Sequence, residues 1–194
     1  MATEIELKAP VQDSEAFRRL LCEKAEYLGA FEKEDTYWPG VPGLPGSGLR
    51  VRREKRTLPG GIQKEAVFAA YKTKEVKDGI EINDEREFEV NPGPVFEEFL
   101  KKMELKPGFS KRKRGWAFSK EGICAELVEV DGNSNGFRSL GWFIELEILA
   151  NNKQEKTLAE ARTRLLDFLA ELGIKKETIE SRFYSEMLKS TTSP

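Results

Sequence analysis

The sequence MATEIELKA (1–9) places a charged side chain at every second position: Glu4, Glu6 and Lys8. Isoleucine and leucine stand between them. Side chains alternate between the two faces of a β-strand, so the pattern predicts a strand with one charged face and one apolar face. A charged face is commonly the solvated side of an antiparallel sheet. The alternative is that these charges face one another inside the protein.

Five later segments repeat this alternation and are also predicted as strands. Their charged positions are Arg50 and Arg52, Lys72 and Lys74, Glu87 and Glu89, Arg112 and Arg114, and Glu145 and Glu147. Any single ionic face would be read as solvated. Six strands with one layout favour a shared charged surface.

Three segments with apolar stripes are predicted as helices, over residues 13–30, 94–105 and 157–173, and a short helical segment is predicted over 179–190. Apolar helix faces must cover something, and the apolar strand faces are what they can cover. The ionic faces then lie on the concave side. Closing the sheet produces a barrel or tunnel lined with charge.

Such a lining contains both a basic and an acidic cluster. Buried charges without partners are costly, so the interior must be wet and must hold ligands. A polyphosphate satisfies the basic cluster, and a hard divalent cation satisfies the carboxylates. We therefore predict a polyphosphate ligand together with Mg²⁺ or Mn²⁺.

The overall charge is nearly balanced. The 194 residues carry 32 basic and 34 acidic side chains, and the formal net charge is −2. Nucleic-acid and membrane binders normally show a basic excess, so neither partner is expected. The absence of histidine excludes a Ser-His-Asp triad and histidine-ligated zinc. We predict a cytoplasmic protein, monomeric or homodimeric.

A series of motifs resembles the CYTH superfamily, the triphosphate tunnel metalloenzymes. In chain order the motifs are EIELK, DTYW, LRVRRE, YKTK, EREFEV, KRKR, ELVEVDG, LGWFIELE and YSEML. The resemblance implies an α+β fold, an eight-stranded antiparallel β-barrel (tunnel) with flanking helices. It also implies one tunnel domain over residues 1–188, followed by a disordered tail over 189–194.

The resemblance implies roles for specific residues. The metal ligands would be Glu4, Glu6, Glu145 and Glu147. The triphosphate would be bound by Lys8, Arg50, Arg52, Lys72, Lys74, Arg112 and Arg114. Catalytic roles would fall to Lys8 and Glu129, and additional tunnel carboxylates would be Glu87, Glu89 and Glu126.

Two departures from the family pattern stand out. Val128 occupies a position where the family often has aspartate, so Glu126 or Glu129 would substitute for it. The segment 133–139 is longer than the usual short turn, which concerns one mouth of the tunnel.

The sequence is compatible with three functions. The first is a metal-dependent hydrolase acting on tripolyphosphate, ATP or another organic triphosphate. The second is a class IV-type adenylyl cyclase that makes cyclic AMP and pyrophosphate from ATP. It needs a nucleoside pocket, for which the aromatic candidates are Tyr37, Trp38, Trp116 and Trp142, although a core position is the commoner role for each. The third is a non-catalytic polyphosphate or nucleotide binder, ranked last because all four predicted metal carboxylates are present.

Overall fold

The structure, a computed structural model, describes residues 3–44, 48–77, 79–133 and 136–189, with the side chain of Lys74 excepted. The strands are β1 (Thr3–Val11), β2 (Glu26–Trp38), β3 (Leu49–Thr57), β4 (Gln63–Lys77), β5 (Ile80–Glu89), β6 (Ser110–Lys120), β7 (Ile123–Asn133) and β8 (Phe137–Ala150). The helices are α1 (Ser14–Lys24), α2 (Gly93–Lys102), α3 (Glu155–Glu171) and α4 (Tyr184–Lys189), with a 3₁₀ turn at Lys176–Thr178.

The eight strands close into an antiparallel barrel in the order β1-β5-β4-β3-β2-β6-β7-β8. Directly opposed residues share a face of the sheet. Glu6 lies opposite both Glu81 in β5 and Glu147 in β8, so the charged face of β1 continues onto its two neighbours. That common face points into the barrel, which confirms the predicted tunnel.

The outer face of β1, β7 and β8 forms the largest apolar core. Ile5 and Leu7 from β1 pack there with Leu165 and Phe168 from α3, all nearly inaccessible to solvent. Helix α2 covers a second patch, in which Leu100 packs against Trp38 and Val51. These contacts satisfy the apolar helix stripes and leave the ionic faces inside.

Helix α1 is shorter than predicted. Asp13 caps its N-terminus by accepting a hydrogen bond from the Ala16 amide at 2.9 Å, as the sequence suggests. The helix ends at Lys24 because the chain from Glu26 onward pairs with β6. Gly29, within the predicted helical segment 13–30, lies instead in β2 with φ +129°, where a Cβ would stand 2.4 Å from the Thr57 carbonyl oxygen. Only glycine fits that bulge.

The C-terminal end of the described chain places α4 against the barrel interior. The predicted helical segment over 179–190 is reduced to this single short helix. Tyr184 is buried against Phe143, with ring centroids 5.2 Å apart and nearly perpendicular planes. Lys189 belongs to α4, and the rest of the predicted tail lies outside the described residues. Among those residues, no helix has the length and apolar character needed to cross a membrane.

Candidate functional site: a charged tunnel

The barrel encloses a cavity of about 650 Å³. Its charged lining combines both signs on one continuous surface. The cationic members include Lys33, Arg50, Arg52, Lys72, Lys111 and Lys113, and the anionic members are Glu4, Glu6, Glu81, Glu85, Glu126, Glu145 and Glu147. The strand register brings the two sets together at side-chain distance, as the following pairs show.

Three predicted metal ligands form a compact carboxylate cluster. One oxygen each from Glu4, Glu6 and Glu147 lies within 4.8 Å of the others. Burial, together with the nearby negative charges of Glu4 and Glu6, raises the pKa of Glu147 to about 8. Three mutually repelling oxygen donors are what a hard divalent cation neutralises, so the residues present fit Mg²⁺ or Mn²⁺. We call Glu4, Glu6 and Glu147 the acidic cluster.

Glu145, the fourth predicted metal ligand, has a different partner. It lies on the same inner face of β8 as Glu147, but its carboxylate accepts a hydrogen bond from Lys113 Nζ at 2.6 Å. Burial opposes the charge of Lys113, yet Glu145 and Glu6 raise the pKa of this lysine well above its ordinary value. Lys113 therefore stays protonated in the tunnel, paired with Glu145.

Lys72 lines the cavity beside the acidic cluster. Its ammonium contacts Glu4 and lies 3.3 Å from a Glu85 oxygen and 3.8 Å from a Glu6 oxygen. Burial disfavours this charge, but the three carboxylates outweigh it and raise the pKa of Lys72. Between the two predicted lysines, Lys72 is inside; the side chain of Lys74 lies outside the described part of the chain.

The two predicted arginines of β3 are held in place by carboxylates. Arg52 donates from Nε and Nη2 to the two oxygens of Asp35, at 2.7 and 3.0 Å. Arg50 contacts Glu85 and donates to Glu87 at 2.8 Å. Burial alone would raise the pKa of Glu85, but Arg50 and Lys72 lower it to about 2. Both arginines point into the tunnel, as predicted.

Lys8 lies among groups that the sequence reading did not identify. It is 2% exposed and donates to Glu81 at 2.5 Å. Its ammonium lies 5.4 Å from the centroid of the Tyr184 ring, and the ammonium groups of Lys111 and Lys113 lie 5.6 and 5.2 Å from the same ring. Three lysine ammonium groups thus lie within cation–π distance of one tyrosine ring.

The orientation of strand β6 differs from the prediction. Arg112 and Arg114, predicted to line the tunnel, lie on the outer face, where Arg112 donates to Asp131 at 2.8 Å. Arg114 donates to Glu129 at 2.7 Å, so the predicted catalytic Glu129 is also outside and is not brought near Lys8. Lys111 and Lys113 occupy the inner positions instead.

The sequence contained a signal for this. KRKR is basic at four consecutive positions, so charge alone cannot decide which pair faces inward. Trp116 and Phe118 have the same parity as Arg112 and Arg114, and both pack against the outer core. The apolar continuation of the strand therefore assigns the arginines to the outer face.

Other tunnel residues lie beyond the charged positions predicted from the sequence. Strand β5 begins at Ile80, which adds Glu81 to the inner face, and Glu85 lies on that face because it has the same parity as Glu87 and Glu89, its outermost members. Glu89 is exposed there. Strand β2 contributes Lys33, whose ammonium lies 2.6 and 2.8 Å from the two oxygens of Glu126.

Lys111 has an unusual electrostatic position. Burial and the positive charges of Lys113, Arg52 and Arg50 lower its pKa to about 8, although the Asp35 carboxylate at 3.2 Å works in the opposite direction. The same cations stabilise the charged form of Asp35. Burial would raise its pKa, but Arg52 and Lys111 hold it well below its usual value.

Of the four candidate aromatic residues, one faces the cavity. Tyr37 lines it and stacks on Phe109, with ring centroids 4.5 Å apart. Trp38 is in the core under α2. Trp116 and Trp142 stack on each other at 5.4 Å on the outside of the barrel. A core role is thus observed for the three tryptophans.

Comparison with known proteins identifies the class to which this arrangement belongs. The CYTH domain model matches residues 2–184, and the chain therefore belongs to the CYTH family. Family membership and the acidic cluster together support a metal-dependent enzyme of the triphosphate-tunnel class. No curated protein matches the sequence significantly.

Several solved structures share the fold over nearly the whole chain. PH1819 from Pyrococcus horikoshii OT3 is 26% identical with a TM-score of 0.74, covering 95% of this chain and 97% of that one. A candidate adenylate cyclase from Vibrio parahaemolyticus is 18% identical, with a TM-score of 0.67 and coverage of 96% and 98%. HpAC1 from Hippeastrum, an adenylyl cyclase candidate described as having a dominant triphosphatase activity, is 15% identical, with a TM-score of 0.57 and coverage of 97% and 95%.

Proposed function

We propose that the protein hydrolyses a triphosphate-containing substrate inside the tunnel, with Mg²⁺ or Mn²⁺ as cofactor. The observation that carries the proposal is the joint placement of the acidic cluster and a ring of buried cations on the inner face of one closed barrel. The cations would bind a polyphosphate, and Glu4, Glu6 and Glu147 would hold a divalent cation that supplies positive charge beside it.

The cations would bind the phosphate oxygens. The guanidinium of Arg52 has five N–H donors and gives two of them to Asp35, so further donors are available to a phosphate. Lys72, beside the acidic cluster, stands where one phosphate could contact both a lysine and the cofactor. Lys113 and Lys111 extend the positive surface toward Tyr184.

The chemical step would be phosphoryl transfer to water. Water attacks the terminal phosphorus, the bridging P–O bond breaks, and orthophosphate and the shortened phosphate chain are released. Little covalent chemistry is required of the protein, so positioning and charge stabilisation supply the rate. Glu4, Glu6 and Glu147 would hold the cofactor, which when bound neutralises charge on the phosphate oxygens. Lys8, fixed by Glu81, would orient the attacking group.

An adenylyl cyclase is the second candidate, and the Tyr37–Phe109 stack favours it. In that reaction the ribose 3′-hydroxyl attacks the α-phosphate and pyrophosphate leaves. A cyclase needs a surface for the adenine base, and an aromatic pair on the cavity wall offers one. Tripolyphosphate has no base and would gain nothing from it.

One panel of substrates separates the candidates. Purified protein is incubated with tripolyphosphate, ATP, GTP or thiamine triphosphate and either Mg²⁺ or Mn²⁺, and the products are assayed as phosphate, pyrophosphate and cyclic nucleotide. Phosphate release supports the hydrolase, whereas cyclic AMP with equimolar pyrophosphate supports the cyclase. Tight tripolyphosphate binding without any product would contradict both and indicate a non-catalytic binder.

A further inference from the structure

Asn83 occupies the middle of β5, on the face that points into the barrel. It lies directly opposite Glu4 of β1 and between Glu81 and Glu85, both of which line the cavity. Its side chain is completely inaccessible, at 0% exposure. An asparagine in this position has no solvent with which to satisfy its carboxamide.

Neither polar atom of that carboxamide has a hydrogen-bond partner within the part of the chain that the structure describes. Buried amides are nearly always hydrogen-bonded, because an unsatisfied one loses its hydration without compensation. Neighbouring side chains on this face have partners, as Lys8 has in Glu81 and Lys33 in Glu126. The orphaned carboxamide therefore points to a ligand.

The position of Asn83 indicates which ligand this is. Directly opposed residues on one face of a sheet have Cβ atoms about 4.5–5.5 Å apart, so the carboxamide can reach the space beside the Glu4 carboxylate. Glu4 belongs to the acidic cluster. A carboxamide oxygen is a hard, neutral donor of the kind that Mg²⁺ and Mn²⁺ accept.

We infer that the Asn83 carboxamide oxygen is a fourth protein ligand of the divalent cation held by Glu4, Glu6 and Glu147. The inference rests on the proposed function and adds to it a ligand on the neighbouring strand. A neutral donor adds a coordinating oxygen without adding charge to three carboxylates that already repel one another. It also ties β5 to β1 and β8 through the metal.

The test is Mn²⁺ binding to the metal-free protein, measured by calorimetry and by the electron paramagnetic resonance signal of free Mn²⁺, with no substrate present. Asn83→Leu keeps the approximate volume and removes both orphaned atoms, so it is expected to fold at least as well as the wild type. Its Mn²⁺ affinity should fall about tenfold, the lower end of what a residue supporting a metal site contributes. Asn151→Leu, at an exposed position, is the matched control and should bind as the wild type does.

A folded Asn83→Leu protein with wild-type Mn²⁺ affinity overturns the inference. Should that variant not fold, Asn83→Ser carries the test, because its short hydroxyl cannot reach the cation and the same loss is expected. Wild-type affinity in Asn83→Ser is again contrary to the inference.

Glu147→Gln separates this inference from the proposed function. If Glu147→Gln loses Mn²⁺ binding and Asn83→Leu does not, the metal site stands and the role of Asn83 fails. If the wild-type protein binds no Mn²⁺, both fail, and tripolyphosphate titration then shows whether the tunnel still takes a polyanion.

Discussion

Lys111, Arg112, Lys113 and Arg114 are four consecutive cations on one strand, and they experience two different environments. The lysines face the cavity and pair with Asp35 and Glu145. The arginines face outward and pair with Asp131 and Glu129. The N–O distances in the four ion pairs are similar. The pairs differ in how much water surrounds them.

Solvation decides what each pair contributes. Arg114 has a side-chain exposure of 51%, so water competes for both partners and the ion pair contributes about 0–1 kcal/mol. Lys113 is buried, and its charge is retained because Glu145 compensates for the lost hydration. A buried cation that keeps its charge in this way can bind an anionic ligand. The comparison thus predicts that function depends on the inner set and not on the outer one.

The largest contrast is expected between Glu147 and Glu129. Glu147→Gln removes one carboxylate of the acidic cluster, and the loss of metal-assisted charge stabilisation, several kcal/mol, should lower kcat by about 10³-fold. Tripolyphosphate binding without metal should stay intact at pH 7, since Glu147, with its pKa at about 8, carries little negative charge there before the metal binds. Phosphate-release kinetics and calorimetry measure the two quantities.

Glu129→Gln is the matched control for that experiment, and kcat should stay within about twofold of wild type because Glu129 pairs with Arg114 on the outer face. Equal losses of kcat in Glu147→Gln and Glu129→Gln would contradict the prediction that activity depends on the inner face and not on the outer one.

A smaller contrast is expected between Arg52 and Arg114. Arg52→Lys keeps the charge beside Asp35 but loses the two-pronged guanidinium, so KM for the triphosphate should rise about tenfold, with a lesser effect on kcat. Arg114→Lys should leave both constants unchanged. Steady-state kinetics of both variants on the preferred substrate measures this. A KM change in Arg114→Lys but not in Arg52→Lys would contradict the prediction.

The fold could be predicted from the sequence largely because period-two alternation is a strong signal when both faces are chemically distinct. EIELK has that property, and Glu4, Glu6 and Lys8 lie where the pattern places them. KRKR lacks it, since all four residues are basic. There the faces are set by distant packing, in this case of Trp116 and Phe118 against the outer core.

The site was less predictable because strand ends are set by partners. Glu81 enters the tunnel since β5 extends back to Ile80 and pairs with β1, which local sequence does not reveal. Tyr184 is positioned by the docking of a six-residue helix. The functional roles of the tunnel residues stay predictions until the variants are measured.

A pH-dependent effect should distinguish Lys111 from Lys113. With its pKa at about 8, Lys111 loses its charge as pH rises through 8, so triphosphate affinity should decline by a few-fold to about tenfold from pH 7 to 9. Lys113, whose pKa is raised, stays charged across this range. Lys111→Arg should flatten that decline, because arginine remains protonated. An identical decline in wild type and Lys111→Arg would assign the titration to another group.

The lowered pKa of Lys111 also makes the free energy of unfolding depend on pH. The folded pKa of Lys111 lies below the ordinary value of 10.5, so between about pH 8 and 10.5 the unfolded chain binds more protons than the folded one. The contribution of Lys111 to the free energy of unfolding therefore rises with pH in that window. Denaturant unfolding of wild type and Lys111→Met between about pH 8 and 10.5 measures this contribution as the difference between their free energies of unfolding. Because Met does not titrate, the wild-type curve should rise relative to the Met curve.

The smallest effect is expected on the outer face itself. Arg114→Ala removes an ion pair whose cation is half exposed to water, so the free energy of unfolding should change by less than about 1 kcal/mol. Lys113→Ala removes the cation that compensates buried Glu145 and should cost clearly more, about 3–5 kcal/mol, because a buried carboxylate is left without its partner. Urea denaturation of the two single variants measures both at one pH, and added salt should weaken the Arg114 contribution further while leaving that of Lys113 nearly constant. Similar costs for the two variants, with similar salt dependence, would show that water reaches the inner face as freely as the outer one. The tunnel would then be a solvated channel in which a lysine is held no more firmly than on the surface.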